Sequence, residues 1–375
     1  MFLFLRKSFL FLLVICMSVN LNATVHTVSN ASGSIAMYDN VEDAINASVD
    51  NDTIYIMGSS SNYGNFTLDK PLVLIGAGIW PEISERTRVG TISIDNAGSG
   101  SVIKGVDASG IRSASSQEAT DLVISYNRIR EVHGTLINSV FKNNIFYATA
   151  SITIGTSNAN ASLFVGVVFS NNIFFYSNNQ TSNNQRLFYT TNSNNVNNIL
   201  RNNLFFSSNL DNFRLGSLHG FTVQNNIFYK RNSHEFFIDQ GWSNCNISHN
   251  LFFGEINLSE LTGGGSSESN NITGSDQDPQ FVDVNDFFHV ASLLNYQSTN
   301  PVDFELAPSS PAVGTGSNGE DMGIHDGPDA FITNPSGDVR KYFPGPDIIN
   351  FLEVSVPSVS SPGTININIK ARNVY

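Results

Sequence analysis

One six-residue phrase recurs through the middle of the chain and restricts what it can fold into more than any other feature. It reads Phe141-Lys-Asn-Asn-Ile-Phe146, Phe169-Ser-Asn-Asn-Ile-Phe174, Leu200-Arg-Asn-Asn-Leu-Phe205, Val223-Gln-Asn-Asn-Ile-Phe228 and Ile247-Ser-His-Asn-Leu-Phe252. A looser first copy is Ile124-Ser-Tyr-Asn-Arg-Ile129. The second Asn of each copy forms a column, Asn127, Asn144, Asn172, Asn203, Asn226 and Asn250, with gaps of 17, 28, 31, 23 and 24 residues. Three residues before each Asn stands an apolar side chain, and two residues after it come Ile129 and then five phenylalanines. One copy cannot bury its own apolar face, whereas copies stacked at the ~4.8 Å interstrand spacing pair every strand and pile like side chains into ladders. Alternation broken by Asn pairs leaves no stripe of 3.6-residue period, which excludes a helical repeat.

The Asn column is expected to mark a sharp corner between sheets, because after Gly, Asn best tolerates positive φ and its amide carries both donor and acceptor. The unequal gaps imply that this corner is fixed while the other loops vary in length. The expected fold class is all-β: a right-handed parallel β-helix with an N-terminal capping helix and a short C-terminal β-hairpin-like tail. Charged residues form only 14% of the chain, and that sparing use of charge suits stacked strands better than a helical bundle.

The chain opens with Arg6 and Lys7, an apolar run from Ser8 to Met17 and a polar stretch around Asn20 to Ala23, the order of a secretory signal peptide spanning 1–23. The run is shorter than the ~20 residues of a membrane span, so no span is expected after cleavage. Bulky Ile15 before Cys16 disfavours lipidation. Loss of the leader takes the formal charge from -13 to -15, and no basic run follows, which argues against nucleic acid as a partner. Only Cys245 remains, so no intramolecular disulfide is expected and burial must supply the stability.

Domain boundaries are read as a β-helix over 24–333, a Pro/Gly-bearing linker over 334–346 and a short β tail over 347–375. The tail holds Phe351–Val356 and Thr364–Ile369 as alternating strands around Pro362-Gly363. Gly263 to Gly274 is read as a Gly/Ser/Asn-rich loop.

Both ends of the repeat region carry further motifs. Upstream come the amphipathic segment Tyr38–Ala47, then Asp52-Thr-Ile-Tyr-Ile-Met-Gly58, Tyr63-Gly-Asn-Phe66 and Lys70-Pro-Leu-Val-Leu-Ile-Gly-Ala-Gly78. Downstream come Asp278-Pro-Gln-Phe-Val-Asp283, Phe304–Gly316 and Asp321-Met-Gly323. Together, over residues 24 to 330, these resemble the pectin-lyase-like superfamily of bacterial secreted β-helix proteins. The resemblance implies a short helix covering the open end of the helix of strands, and it specifies fold far more than function.

In that superfamily, uronan lyases use a Lys or Arg base with Ca²⁺ held by acidic residues, and the hydrolases use clustered aspartates. Neither motif is present here; Ca²⁺ would enter only if the chain were a lyase, and no metal-ligand spacing is found among His26, His219, His249, His289 and His325. The local group nearest to a catalytic site is Lys230, Arg231, His234 and Glu235 with Asp239, placed where a loop would overhang a sheet. A second group is Arg128, Arg130, Glu131 and His133. Trp80 and Trp242 would stack on sugar rings if exposed, and Trp242 lies close to the charged loop. Asp278, Asp283, Asp321 and Asp326 are expected to cap turns. The expected function is a secreted or cell-surface protein that binds polysaccharide without cleaving it. The alternatives are a polysaccharide lyase or glycoside hydrolase, and an adhesive or structural module.

Overall fold

The computed structural model describes residues 23–78, 85–148, 154–155, 162–176, 186–207, 214–230, 236, 238, 241–283, 303–331, 349–355 and 368–373. The leader, the linker and the turn of the C-terminal tail lie outside these residues. Among the described residues nearly all the regular secondary structure is strand, and almost all the pairing is parallel.

Three parallel sheets hold the repeat: an 11-stranded sheet 1, a 14-stranded sheet 2 and a 3-stranded sheet 3. The chain visits them in rotation, and each circuit lays a new strand beside the one from the circuit before. Thus Val123–Ser125, Val140–Lys142, Val168–Ser170, Asn198–Arg201, Phe221–Gln224 and Asn246–Ser248 are successive neighbours in sheet 1. After each comes its partner in sheet 2: Arg128–Ile129, Ile145–Ala148, Ile173–Tyr176, Leu204–Ser207, Ile227–Lys230 and Leu251–Phe253. This arrangement is compatible with a parallel β-helix.

Register aligns the phenylalanines directly. Phe146, Phe174, Phe205, Phe228 and Phe252 are cross-strand partners, and each adjacent pair of rings stacks at 4.5 Å. Phe141 and Phe169 form a shorter stack at 4.8 Å. These side chains are fully buried with the aliphatic columns beside them.

The corner separates two tasks that the sequence reading gave to a single Asn. Positive φ belongs to the residue before the column: Tyr126 (56°), Asn143 (52°), Asn171 (51°), Asn202 (51°), Asn225 (56°), His249 (54°) and Asn270 (53°). The column itself points inward and is fully buried from Asn127 to Asn250. From Asn144 onward each Oδ1 accepts both the backbone N–H and the side-chain amide of the Asn one circuit earlier, as Asn203 does for Asn172 at 2.9 and 3.0 Å, while Asn127 Oδ1 accepts from Val106 N–H. Each Nδ2 also donates to a core backbone carbonyl, Asn203 to Phe169 at 3.0 Å. Every polar atom of the column is therefore used, which is what permits amides in an apolar core.

The ladder runs one circuit past the last recognised copy. Asn271 accepts from Asn250 Nδ2 at 3.0 Å, within Ser267–Ser269 and Ile272–Gly274, which pair in register with the strands before them. The stretch expected to be a loop thus carries a seventh copy of the phrase, in which Glu268 and Thr273 replace the apolar and Phe positions. Its phrase kept only Asn270-Asn271-Ile272, so the hydrophobic signature that marked the other copies was gone.

At the other end, the helix Val41–Ala47 (α1) is shorter than the amphipathic segment suggested, because Asn40 caps it by accepting from Asp43 N–H. It buries Val41, Ala44 and Ile45. The C-terminal strands Ile349–Ser355 and Asn368–Asn373 pair antiparallel, the second starting four residues later than the alternation suggested.

The segment 303–331 takes a place that the sequence did not announce. Asp303–Leu306 pairs antiparallel with Phe281–Asp283, and the chain then runs along the outer surface of sheet 2. Outward-facing Tyr147, Phe175, Phe206, Tyr229 and Phe253, and beside them Ile145, Ile173, Leu204, Ile227 and Leu251, form a second core with Phe304, Ala312, Met322, Ile324 and Phe331 of this strap. Its fastening points are the left-handed Asn residues of the corner. Asn171 Nδ2 donates to the carbonyls of Ile324 and Asp326 at 2.9 and 2.7 Å, and Asn143 Nδ2 to that of Asp329 at 2.8 Å. Asn225 accepts from Ser317 N–H at 2.8 Å and donates to Glu320 at 3.0 Å. Asp329 adds Lys142 and Ser170, both at 2.8 Å; burial opposes its charge, but these two partners hold its carboxyl below the ordinary range.

His325 makes the strap sensitive to acid. Burial pushes its pKa down from 6.5 to about 4, against a contact to the Phe331 carbonyl, and its Nε2 is buried without a partner among the described residues. A depressed folded-state pKa means that the unfolded chain binds the proton first. The stability contributed by neutral His325 is therefore complete above pH 6.5 and is lost as pH falls towards 4, by up to about 3 kcal/mol. Melting curves of wild type and His325→Gln between pH 7 and 4 should converge at low pH; parallel curves would exclude this titration as the cause.

Candidate functional site

Of the residues singled out by sequence, the second group stays together among the described residues: Glu131 reaches His133 at 3.7 Å, and Arg128 and Arg130 both lie against the Tyr147 ring. Arg231, His234, Glu235 and Asp239 lie outside the described residues, as does Trp80. Lys230, from the same group, ends a strand of sheet 2 and is buried. Trp242 is corrected outright as a sugar platform: it is fully buried, its Nε1 donates to the Gly216 carbonyl at 3.2 Å, and its ring meets Phe188 edge-on at 6.0 Å. Its position beside a charged loop in sequence concealed an inward-facing position on the circuit. Asp278, Asp321 and Asp326 accept from nearby backbone N–H groups, as turn caps do. Among the described residues no three His, Cys, Asp or Glu side chains converge as metal ligands, and no helix is long and apolar enough to cross a membrane.

Among the described residues an open cleft of about 370 Å³ lies where three inner strands of sheet 1 begin. Its lining comes from the turns entering three successive strands of that sheet: Ser193 to Asn198, His219 to Thr222, and Asn244 with Asn246. The turns are built by local constraints. Gly220 has φ of 75°, and a Cβ there would lie 1.9 Å from the Asn195 carbonyl, so no other residue fits. Asn197 and Asn244 take φ of 58° and 51° and hold their side chains outward. Asn195 and Asn198 are buried instead; their Oδ1 atoms accept from Phe164 and Val167 N–H at 2.8 and 2.9 Å and fix the floor.

His219 stands within this cleft. Asn244 Nδ2 lies 3.2 Å from its Nε2, and Ser243 Oγ lies 2.7 Å from its Nδ1. Ser243 and Asn244 thus hold the imidazole at both ring nitrogens and fix its orientation in the cleft. The lining holds amides, hydroxyls, one imidazole and the apolar Val196 and Phe221, and among the described residues no carboxylate.

The sequence placed His219 only among scattered histidines and did not single out Asn244 and Asn246, because all three fall between copies of the phrase, in turns whose lengths vary. The signal available was the second Asn-rich run, Asn192 to Asn198, one circuit earlier. With the geometry established, comparison adds no relative: no protein-family model matches the sequence, and no curated protein matches it.

Proposed function

We propose that this chain is an exported right-handed parallel β-helix of the pectin-lyase-like kind that binds a neutral polysaccharide at the His219 cleft and does not cleave it. The handedness follows the rule for parallel crossover connections, and export follows the N-terminal Arg6-Lys7 and apolar run. The carrying observation is the cleft lining, an array of amide and hydroxyl groups beside small apolar surfaces, with no carboxylate among the described residues. Sugar hydroxyls present donors and acceptors in alternation, and amides answer both. A rigid row of stacked strands holds Asn197, Asn244 and Asn246 at fixed spacing, so little ordering is needed on binding.

The test is affinity electrophoresis of the mature chain through gels containing neutral glucans, galactans, xylans and mannans, with reducing ends assayed in parallel. Retardation by at least one neutral glycan without product is expected. The double variant Asn244→Ala, Asn246→Ala, at two exposed positions, should weaken it roughly tenfold, two hydrogen bonds at about 0.5–1.5 kcal/mol each. Absence of retardation by every neutral glycan, or release of reducing ends, would overturn the reading.

A further inference from the structure

The outer surface of sheet 2 changes character along the stack. From the Ile145–Ala148 strand onward its outward columns are apolar and lie under the strap. In the circuits before it they are charged: Arg88, Asp107 and Arg128 are direct cross-strand partners, followed in the same column by Ile145. Around the single Asp107 carboxylate stand four guanidinium groups. Arg86 approaches it at 3.3 Å and Arg128 at 3.6 Å, and Arg88 and Arg130 lie close enough to bear on its charge. Burial raises the Asp107 pKa, and Arg86, Arg130 and Arg88 pull against that rise.

Glu131 also bears on the charge of Arg130, so Asp107, Glu85 and Glu131 together leave the four arginines one charge in excess. Glu85 reaches Arg88 at 3.5 Å across an exposed contact, which is worth little in water. The surplus is conspicuous in a chain with 19 Lys and Arg against 32 Asp and Glu. The arginines are also held in place. Arg128 lies over the Tyr147 ring at 3.8 Å, and Arg130 donates from Nε to the Tyr147 hydroxyl at 2.9 Å, leaving its terminal nitrogens without a partner among the described residues. Arg130 is exposed, and the Arg88 side chain, 37% accessible, donates from Nη1 to the Ser60 carbonyl at 3.3 Å, so both face solvent beside the half-buried Asp107 and Arg128.

From this geometry we infer a second binding site, for the sulfate ester of a sulfated polysaccharide, with its oxygens shared between Arg88 and Arg130. Guanidinium forks fixed by stacking are the side chains best suited to oxyanions. A planar carboxylate is satisfied by one fork. Here Arg88 opens one strand and Arg130 directly follows Arg128–Ile129 two circuits on, with Asp107 in the strand between them, and the three free oxygens of a sulfate ester can answer donors from both sides. The site lies on a different sheet from the cleft and does not depend on it. The strongly acidic remainder of the protein would repel a polyanion elsewhere, so binding of such a chain reports on this panel.

The experiment is calorimetric titration of the mature chain with dextran sulfate, polygalacturonate and unmodified dextran at 50 and 300 mM NaCl. Dextran sulfate is expected to bind, more weakly at the higher salt, and Arg88→Gln with Arg130→Gln should reduce its affinity at least tenfold. Arg130→Gln alone, at an exposed position, serves if the pair fails to fold, with a loss of threefold or more. Asn244→Ala with Asn246→Ala should leave dextran sulfate binding unchanged, so this site and the neutral-glycan cleft stand or fall separately. Failure of dextran sulfate to bind, unchanged affinity in the arginine variants, or equal binding of polygalacturonate with equal loss would overturn the sulfate assignment.

Discussion

Asn203→Ala should lower the stability of the chain by roughly 3–5 kcal/mol, as read from the urea midpoint with Trp242 fluorescence as the probe. Asn203 is in the middle of the inward amide ladder and is fully buried. Its Oδ1 serves the N–H and the Nδ2 of Asn172, and its own Nδ2 serves the Phe169 carbonyl and Asn226 Oδ1. Alanine leaves two buried donors on Asn172 facing no acceptor, each costing roughly 1–3 kcal/mol, and it opens a small void besides. The comparison that isolates the cause is Asn271→Ala. Asn271 ends the ladder and is only half buried, so water can replace what is lost and the cost should stay near 1 kcal/mol. Equal losses at both positions would mean that side-chain volume, and not the ladder, sets the effect.

Phe206→Ala should cost about as much, roughly 3–5 kcal/mol, even though it faces away from the repeat core. Strand alternation places Phe205 inward, stacked at 4.5 Å on both Phe174 and Phe228, and makes Phe206 a solvent-side residue for which alanine ought to be harmless. It is 1% exposed, stacked on Tyr229 at 5.0 Å and packed against Phe304 of the strap at 6.2 Å. Its loss should also loosen the strap, so the apolar columns beneath would bind a hydrophobic dye before global unfolding. A stability change below 1 kcal/mol, with no such dye signal, would show that the strap contributes little to the fold.

The two phenylalanines mark how far the sequence could be read. The inward columns repeat with the phrase, and a repeated apolar position has one explanation, a shared core; Phe205 and Asn203 were both legible on that ground. The left-handed corner was legible as well, but not which Asn of the pair supplied it. Both residues are Asn in four copies, and only the copies with Tyr126 and His249 in the first place hint that the requirement there is conformational. The amide requirement belongs to the second place, where every copy has Asn. Trp242 misled for the opposite reason: its charged neighbours suggested surface, while the circuit turned it inward.

The functional surfaces were less legible than the fold because each is assembled across circuits. His219, Asn244 and Asn197 lie one circuit apart, as do Arg88, Asp107 and Arg128, and the variable turns leave no fixed spacing by which a sequence pattern could join them. What the sequence determined alone is the stacked parallel architecture, since its cause is local: a phrase that must bury apolar residues on both sides of a corner, repeated until it does so. The strap was decided only by tertiary structure. Its partners lie some 90 to 190 residues away along the chain, and its apolar residues are too few and too irregular to announce a period. Which surface they cover depends on where the finished stack presents its second, outward-facing row of aromatic side chains.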